Sequence, residues 1–204
     1  MIDRMEKIWG YFPAAGMLCA ISCLGSACGG PLGGDDESCV ASFSTVGSTA
    51  GAGVDASLSS ASFQVSQSFT PSADTRPGIV KIKLRPTGTP LGTLILKIEA
   101  DSSGAPDSIP LATATIAANT VTEPTVAKFY SFTFSTSSLP DLKQGKTYWI
   151  RLQATSGNGS NYVSWIGNND SAYSKGSAKT STDGTQWDTN TVGPSRDFLF
   201  LVGC

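Results

Sequence analysis

From Phe63 to Val202 the apolar side chains recur at every second position, and no other feature constrains the fold of this chain as strongly. Val80, Ile82 and Leu84 alternate with Lys81, Lys83 and Arg85. Leu94, Leu96 and Ile98 alternate with Ile95, Lys97 and Glu99. The same spacing returns at Phe63, Val65 and Phe69, at Tyr130, Phe132 and Phe134, at Tyr148, Ile150 and Leu152, and at Phe198, Phe200 and Val202. Turn-forming residues bound each run: Pro86 to Pro90, Asp101 to Pro106, Ser138 to Pro140, Gly157 to Gly159, and Asp183-Gly184. No stretch supports a long helix, and residues 136–142 support a short helical turn at most. The pattern predicts an all-β fold of about ten strands with one wet face each, an antiparallel jelly-roll or Greek-key β-sandwich. The Ser-, Gly- and Ala-rich run 44–61 has little to bury and reads as a long loop or a weak edge strand.

The N-terminal residues are of another kind. Ile8 to Leu24 form an apolar run broken by Pro13, shorter than the ~20 residues a bilayer span needs. It matches the apolar region of a secretory signal, with translation starting at Met1 or Met5. Leu24-Gly-Ser-Ala-Cys28 resembles the lipobox of bacterial lipoproteins, with its aliphatic residue one place further from the cysteine than usual. That resemblance implies cleavage before Cys28, acylation there, and anchoring to a lipid membrane. Cys23 is the poorer alternative, and an ordinary signal peptide cleaved near Ala27 the simpler one. Residues 1–28 are therefore expected to be a lipoprotein signal, and the glycine-rich, acidic stretch 29–38 a flexible tether. Residues 39–204 are expected to be one β-sandwich domain, exported to a bacterial outer membrane or cell surface.

Composition narrows the chemistry. The chain has no histidine, which removes Ser-His-Asp and Cys-His catalysis and imidazole metal sites. Its net charge is −2, so no basic patch for nucleic acid is expected. Glu99 and Glu123 are the only glutamates of the domain, a poor basis for the paired carboxylates of a glycosidase. Gly145-Lys146-Thr147 lacks the preceding glycine of a phosphate-binding loop, and a strand follows it. With Cys28 acylated, Cys39 and Cys204 have only one pairing open to them. They flank the first and last strands, which are antiparallel neighbours in many jelly-rolls. A disulfide there would stabilise by on the order of 5 kcal/mol in the chain-entropy picture; two free thiols are the alternative.

From Gln67 onward the chain resembles bacterial extracellular β-sandwich modules known as choice-of-anchor domains, which look like carbohydrate-binding modules. The resemblance is carried by Gln67-Ser-Phe-Thr-Pro71, the run Gly92 to Pro106, Leu111-Ala-Thr-Ala-Thr115, and Tyr130-Ser-Phe-Thr-Phe134. It continues through Leu142 to Leu152, Asn161-Tyr-Val-Ser-Trp165, Gly176-Ser-Ala178, Asp183-Gly-Thr-Gln-Trp187 and Asp197-Phe-Leu-Phe200. It implies a fold and no shared chemistry, so function has to be read from the site.

The candidate ligand site is the set Tyr162, Trp165, Tyr173 and Trp187, with Asn168, Asn169, Asp170 and Arg151 or Arg196 as polar partners. Sugars offer apolar C–H faces and hydroxyl edges, and exposed aromatic planes beside amide and carboxylate groups match both. Large aromatics that simply close the core are the competing reading. No cofactor is expected, with Asp101, Asp107 and Asp183 as weak candidates for a structural calcium ion. The expected function is a non-catalytic surface lipoprotein that binds glycan or a surface protein. A purely structural envelope protein is the alternative, and a glycoside hydrolase the least favoured.

Overall fold

The computed structural model describes residues 40–43, 55–168, 173–188 and 196–203. The signal, the tether, Cys28, Cys39, Asn169, Asp170 and Cys204 lie outside the described residues. The described chain is all-β, with antiparallel pairing throughout.

In chain order the strands are β1 (Ala41–Phe43), β2 (Ala56–Ser57), β3 (Gln64–Phe69), β4 (Ile79–Thr87), β5 (Thr93–Ser102), β6 (Ala105–Ala117) and β7 (Lys128–Thr133). They continue as β8 (Tyr148–Ala154), β9 (Tyr162–Trp165), β10 (Gly167–Asn168), β11 (Ala178–Ser181), β12 (Asp197–Phe198) and β13 (Phe200–Val202). Thirteen strands are thus described where the periodicity suggested about ten. The surplus comes from two- and three-residue strands such as β2, β10 and β12, too short to show a period. The only helical pieces described are two 3-10 turns, Ala118–Thr120 and Thr136–Ser138. The second lies within the expected stretch, its backbone capped by the Ser135 hydroxyl.

Two principal sheets form. One runs β1-β13-β4-β9-β2, with β7 on the other edge of β4. The other runs β11-β3-β8-β5-β6, and β10 pairs with β12 in a small third sheet. Register follows the alternation. Val65, Leu152 and Leu96 stand in one row across β3, β8 and β5, and Gln67, Ile150 and Ile98 in the next. Phe200 stands beside Ile82 in the six-stranded sheet, and Val202 beside Val80. These rows form one buried cluster that draws on both sheets. Contacts cross between them, as where the Phe69 and Phe200 rings lie 5.9 Å apart. Each large apolar side chain removed from water there stabilises by roughly 1.5–3 kcal/mol.

A long polar side chain, Gln67, enters this core. Gln67 is wholly buried, yet every valence of its amide is used. Its Nε2 donates to Asp197 Oδ1 at 3.0 Å and to the Ser68 carbonyl at 3.1 Å, and its Oε1 accepts from the Phe198 amide at 2.7 Å. The amide therefore ties β3 to β12. Burial pushes the Asp197 carboxyl above its ordinary value, and the bonds from Gln67 and the Tyr173 amide partly oppose that.

The turn between β5 and β6 places Ser103 at φ 54° and Gly104 at φ 80°, the left-handed pair that a two-residue hairpin requires. Asp101 Oδ2 accepts from the Gly104 amide at 3.2 Å and braces the turn.

The two ends of the described domain meet. β1 pairs with β13 so that Ala41 faces Val202, and the Val40 amide donates to the Val202 carbonyl at 3.1 Å. Cys39 and Cys204 are the chain neighbours of Val40 and Gly203. This pairing supports the proposal that they are disulfide-bonded. Peptide mapping, without reductant, of the protein recovered from an oxidising compartment should yield one cross-linked species joining the two cysteine peptides, and free alkylatable thiols at both positions would overturn the proposal.

Candidate functional site

The outer face of the five-stranded sheet differs from what period-two reading suggests. Gln64, Ser66, Ser68, Trp149 and Arg151 all point away from the core, yet all are buried. Chain segments that fold back over them account for this. β6 is irregular opposite Glu99, where the register shifts twice. Beside that bulge Ser108 takes a left-handed φ of 67°. Its amide donates to Glu99 Oε2 at 3.2 Å, and its hydroxyl reaches the Gly184 carbonyl at 3.5 Å.

Under this cover lies a buried ion pair. Arg151 Nη1 is 3.0 Å from Glu99 Oε1, with Glu99 fully enclosed. Arg151 Nε donates to Gln64 Oε1 at 2.5 Å. Burying two charges is costly, and the Gln64 carbonyl oxygen on Arg151 and the Ser108 amide on Glu99 offset part of that cost. Gly184 sits directly above. A Cβ at that position would come within 2.6 Å of Gln64 Nε2 and 2.8 Å of Arg151 Nη2, and its φ is +78°. Only glycine fits both the space and the backbone.

The loop carrying Gly184 is bracketed by a bridge in which Thr180 and Asp188 exchange both backbone hydrogen bonds, at 3.0 and 2.9 Å. Asp183 Oδ1 accepts from the Thr185 amide at 2.7 Å, the Gln186 amide at 2.8 Å and the Ser181 hydroxyl at 3.0 Å. These amides hold its carboxyl down at about 2, against an ordinary 3.8.

The loop thereby sets Trp187 over the guanidinium, with Arg151 Cζ 5.6 Å from the ring centroid. The indole N–H is enclosed without an acceptor, so stacking and packing hold the ring rather than a hydrogen bond. Trp187 is half-buried. It lines a groove of about 370 Å³ together with Phe63, Thr180, Thr182, Gln186 and Asp188. Two aromatic side chains and a set of hydroxyl, amide and carboxylate groups thus share one hollow.

The expected aromatic set does not come together as a single platform. Trp165 is fully buried, stacked on Phe198 with ring centroids 5.1 Å apart, and its Nε1 donates to the Leu199 carbonyl at 3.0 Å. Tyr173 is also buried, edge-on to Phe200 at 5.2 Å, with its hydroxyl accepting from the Thr70 amide. The burial of these two side chains speaks for the competing reading, in which they close the core. Asn168 is buried in β10, and half-buried Tyr162 begins β9 opposite Thr87. Tyr162 and Trp187 stay partly exposed, and of the two Trp187 is the one that lines a groove with polar loop residues. Of the two arginines suggested as partners, Arg151 is the one under it.

Trp149 is buried too, its Nε1 donating to Asp101 Oδ1 at 2.7 Å and Lys179 Nζ lying 5.9 Å from its ring. Asp101 uses both oxygens, on Trp149 and the Gly104 amide, Asp183 Oδ1 is taken by its own loop, and Asp107 Oδ1 accepts from the Ile109 amide at 3.0 Å. Among the described residues no three His, Cys, Asp or Glu side chains converge as a metal site would require.

No family model, no curated protein and no solved structure matches this chain. The groove and its foundations are therefore the ground on which function is read.

Replacing Glu99 by Gln leaves the buried Arg151 charge unopposed, and chemical denaturation should show a loss of about 3–5 kcal/mol. An unchanged midpoint would mean that the pair is not formed. Acid titration tests the loop. Because the folded carboxyl of Asp183 lies below its unfolded value, its contribution is complete above pH 3.8 and is lost as the pH falls through about 2. Carbon-detected NMR should place the Asp183 midpoint near that lower value, and a midpoint at the ordinary 3.8 would mean that the loop amides do not hold the carboxylate.

Proposed function

We propose that this chain is a non-catalytic, surface-exposed lipoprotein whose domain is a jelly-roll or Greek-key β-sandwich of the choice-of-anchor type, and that it binds glycan. The observation that carries the reading is the Trp187 groove. An indole fixed from below by a guanidinium presents an apolar plane to the C–H face of a sugar ring. Thr182, Gln186 and Asp188 are exposed beside it and can meet hydroxyl edges. The groove is sized for one or two sugar units rather than for a protein interface.

The glutamates support a binding role. Glu99 is committed to Arg151, and Glu123 forms an ion pair with Lys128 at 2.8 Å. Neither is among the residues that line the groove. The lipid anchor at Cys28 and export to an outer membrane or cell surface belong to the same proposal and rest on the N-terminal sequence.

A structural envelope role is the second reading, favoured by the burial of Trp149 and Trp165. A glycan array probed with the exported protein, followed by affinity measurement on the best hits, separates the two. Trp187→Ala should weaken binding by about tenfold, equivalent to about 1.4 kcal/mol, while thermal unfolding remains cooperative. No binding to any glycan, or binding indifferent to Trp187→Ala, would favour the structural reading.

A further inference from the structure

A different turn, between β8 and β9, carries a chemical feature unrelated to the groove. Asn158-Gly159-Ser160-Asn161 closes the connection, with Asn158 and Asn161 exchanging backbone hydrogen bonds at 3.1 and 3.3 Å. Asn158 Oδ1 accepts from the Ser160 amide at 2.9 Å, the Asn161 amide at 2.9 Å and Asn161 Nδ2 at 3.4 Å. Three donors on one amide oxygen draw electron density from Cγ, as an oxyanion hole does for an acyl carbon. The Nδ2 group donates to nothing among the described residues, and the side chain is exposed to water. The Gly159 amide is also without an acceptor among the described residues. Gly159 itself is exposed, and no atom beyond its chain neighbours lies within 4 Å of where its Cβ would be, so the turn is open to water on that side.

We propose that Asn158-Gly159 is a site of spontaneous deamidation, in which the folded turn activates the asparagine side chain for attack by the Gly159 amide nitrogen. The nitrogen gives up its proton to solvent and forms a bond to Asn158 Cγ. The Cγ–Nδ2 bond breaks, and Nδ2 takes up a proton and leaves as ammonia, closing a succinimide ring. Water then opens the ring at either carbonyl, giving aspartate or isoaspartate. No electrons change hands, and water is the only co-reactant.

Asp183-Gly184 supplies an internal contrast. There the glycine amide donates to Ser181 Oγ at 2.8 Å, and the side chain is a carboxylate held in its ionised form. Both the nucleophile and the electrophile are disabled at that turn, although the dipeptide is of the same reactive kind.

The consequence is local. Asn161 Oδ1 accepts from the Thr89 amide at 2.8 Å, so the Asn158–Asn161 pair links this turn to the loop between β4 and β5. A hollow of about 390 Å³ lies between the two, lined by Thr89, Leu91, Ser156 and Asn158 among others. Deamidation places a negative charge on its rim. The isoaspartate product also adds a methylene to the backbone of the turn.

The test is ageing of the exported protein at mildly alkaline pH, followed by peptide mass spectrometry and isoaspartate quantification. Conversion should concentrate at Asn158, with Asn161 and Asn168 unchanged over the same period. Gly159→Ala should slow it by roughly tenfold, because a side chain hinders approach of the nitrogen to Cγ. That variant meets no neighbour and is expected to fold normally. A second arm compares native protein with protein unfolded in urea. A native rate equal to or above the unfolded rate supports activation by the turn. A native rate far below it, or conversion spread evenly over the asparagines, would overturn the proposal.

Discussion

The shared apolar core between the two principal sheets is the constraint from which the rest follows. Each strand commits one alternate row to it: Val65, Leu152 and Leu96 from one sheet, Ile82, Phe200 and Val80 from the other. Once those rows are placed, period two leaves the intervening residues no choice of side. A slip of one residue in β8 would exchange Ile150 for Arg151 in the core. The register is therefore held by the cost of burying a charge as much as by the gain of burying a hydrophobe. Gln67 is the exception that shows the rule, since it is tolerated in the core only with its amide fully bonded.

The five-stranded sheet then meets a second problem, on its other face. Arg151, Glu99, Trp149 and Gln64 are placed outward by the core, but loops fold over them. A guanidinium and a carboxylate shut away from water must satisfy each other, and the ones here do so with Gln64 and the Ser108 amide as further partners. What this ion pair provides is geometry more than stability. It sets a flat cation under Trp187 and leaves room above it for glycine alone at position 184. The groove is thus a consequence of how the sheet's outer face is closed, and its aromatic floor is fixed by groups that no ligand needs to touch.

These two faces differ in how well the sequence announces them. The inward rows were legible because burial of one face writes alternation directly into the chain, and the turns because Asp-Ser-Ser-Gly and Asp-Gly have specific backbone uses. The short strands β10 and β12 were not legible, because two residues carry no period. Nor was the burial of Arg151 and Glu99: polar residues at alternate positions look the same whether water or a returning loop covers them. Trp165 and Trp187 illustrate the limit. Each is a tryptophan close to polar loop residues. Only the sheet pairing, which sets Trp165 between Ala56 and Leu84, separates the core residue from the groove residue. Arg151 did carry a usable signal, a charged residue in the middle of a strand otherwise rich in large apolar groups.

The position of the groove also has a physical logic. It forms at β11, an edge strand, where the Thr180–Asp188 bridge turns the chain back before a further strand could add. An edge with open hydrogen-bonding groups invites pairing with other chains, and a tight returning loop is one way to close it. The opposite edge, β6, is interrupted by Pro106 and Pro110, which cannot donate. One edge is therefore blunted by proline and the other by a loop that also carries the site. The residues facing the groove at Thr182, Gln186 and Asp188 lie on that loop or its exit, outside the core rows. They can change without disturbing the register of the sheet, whereas Arg151, Glu99 and Gly184 cannot. The arrangement separates the groups that would select a ligand from those that hold the aromatic plane in place.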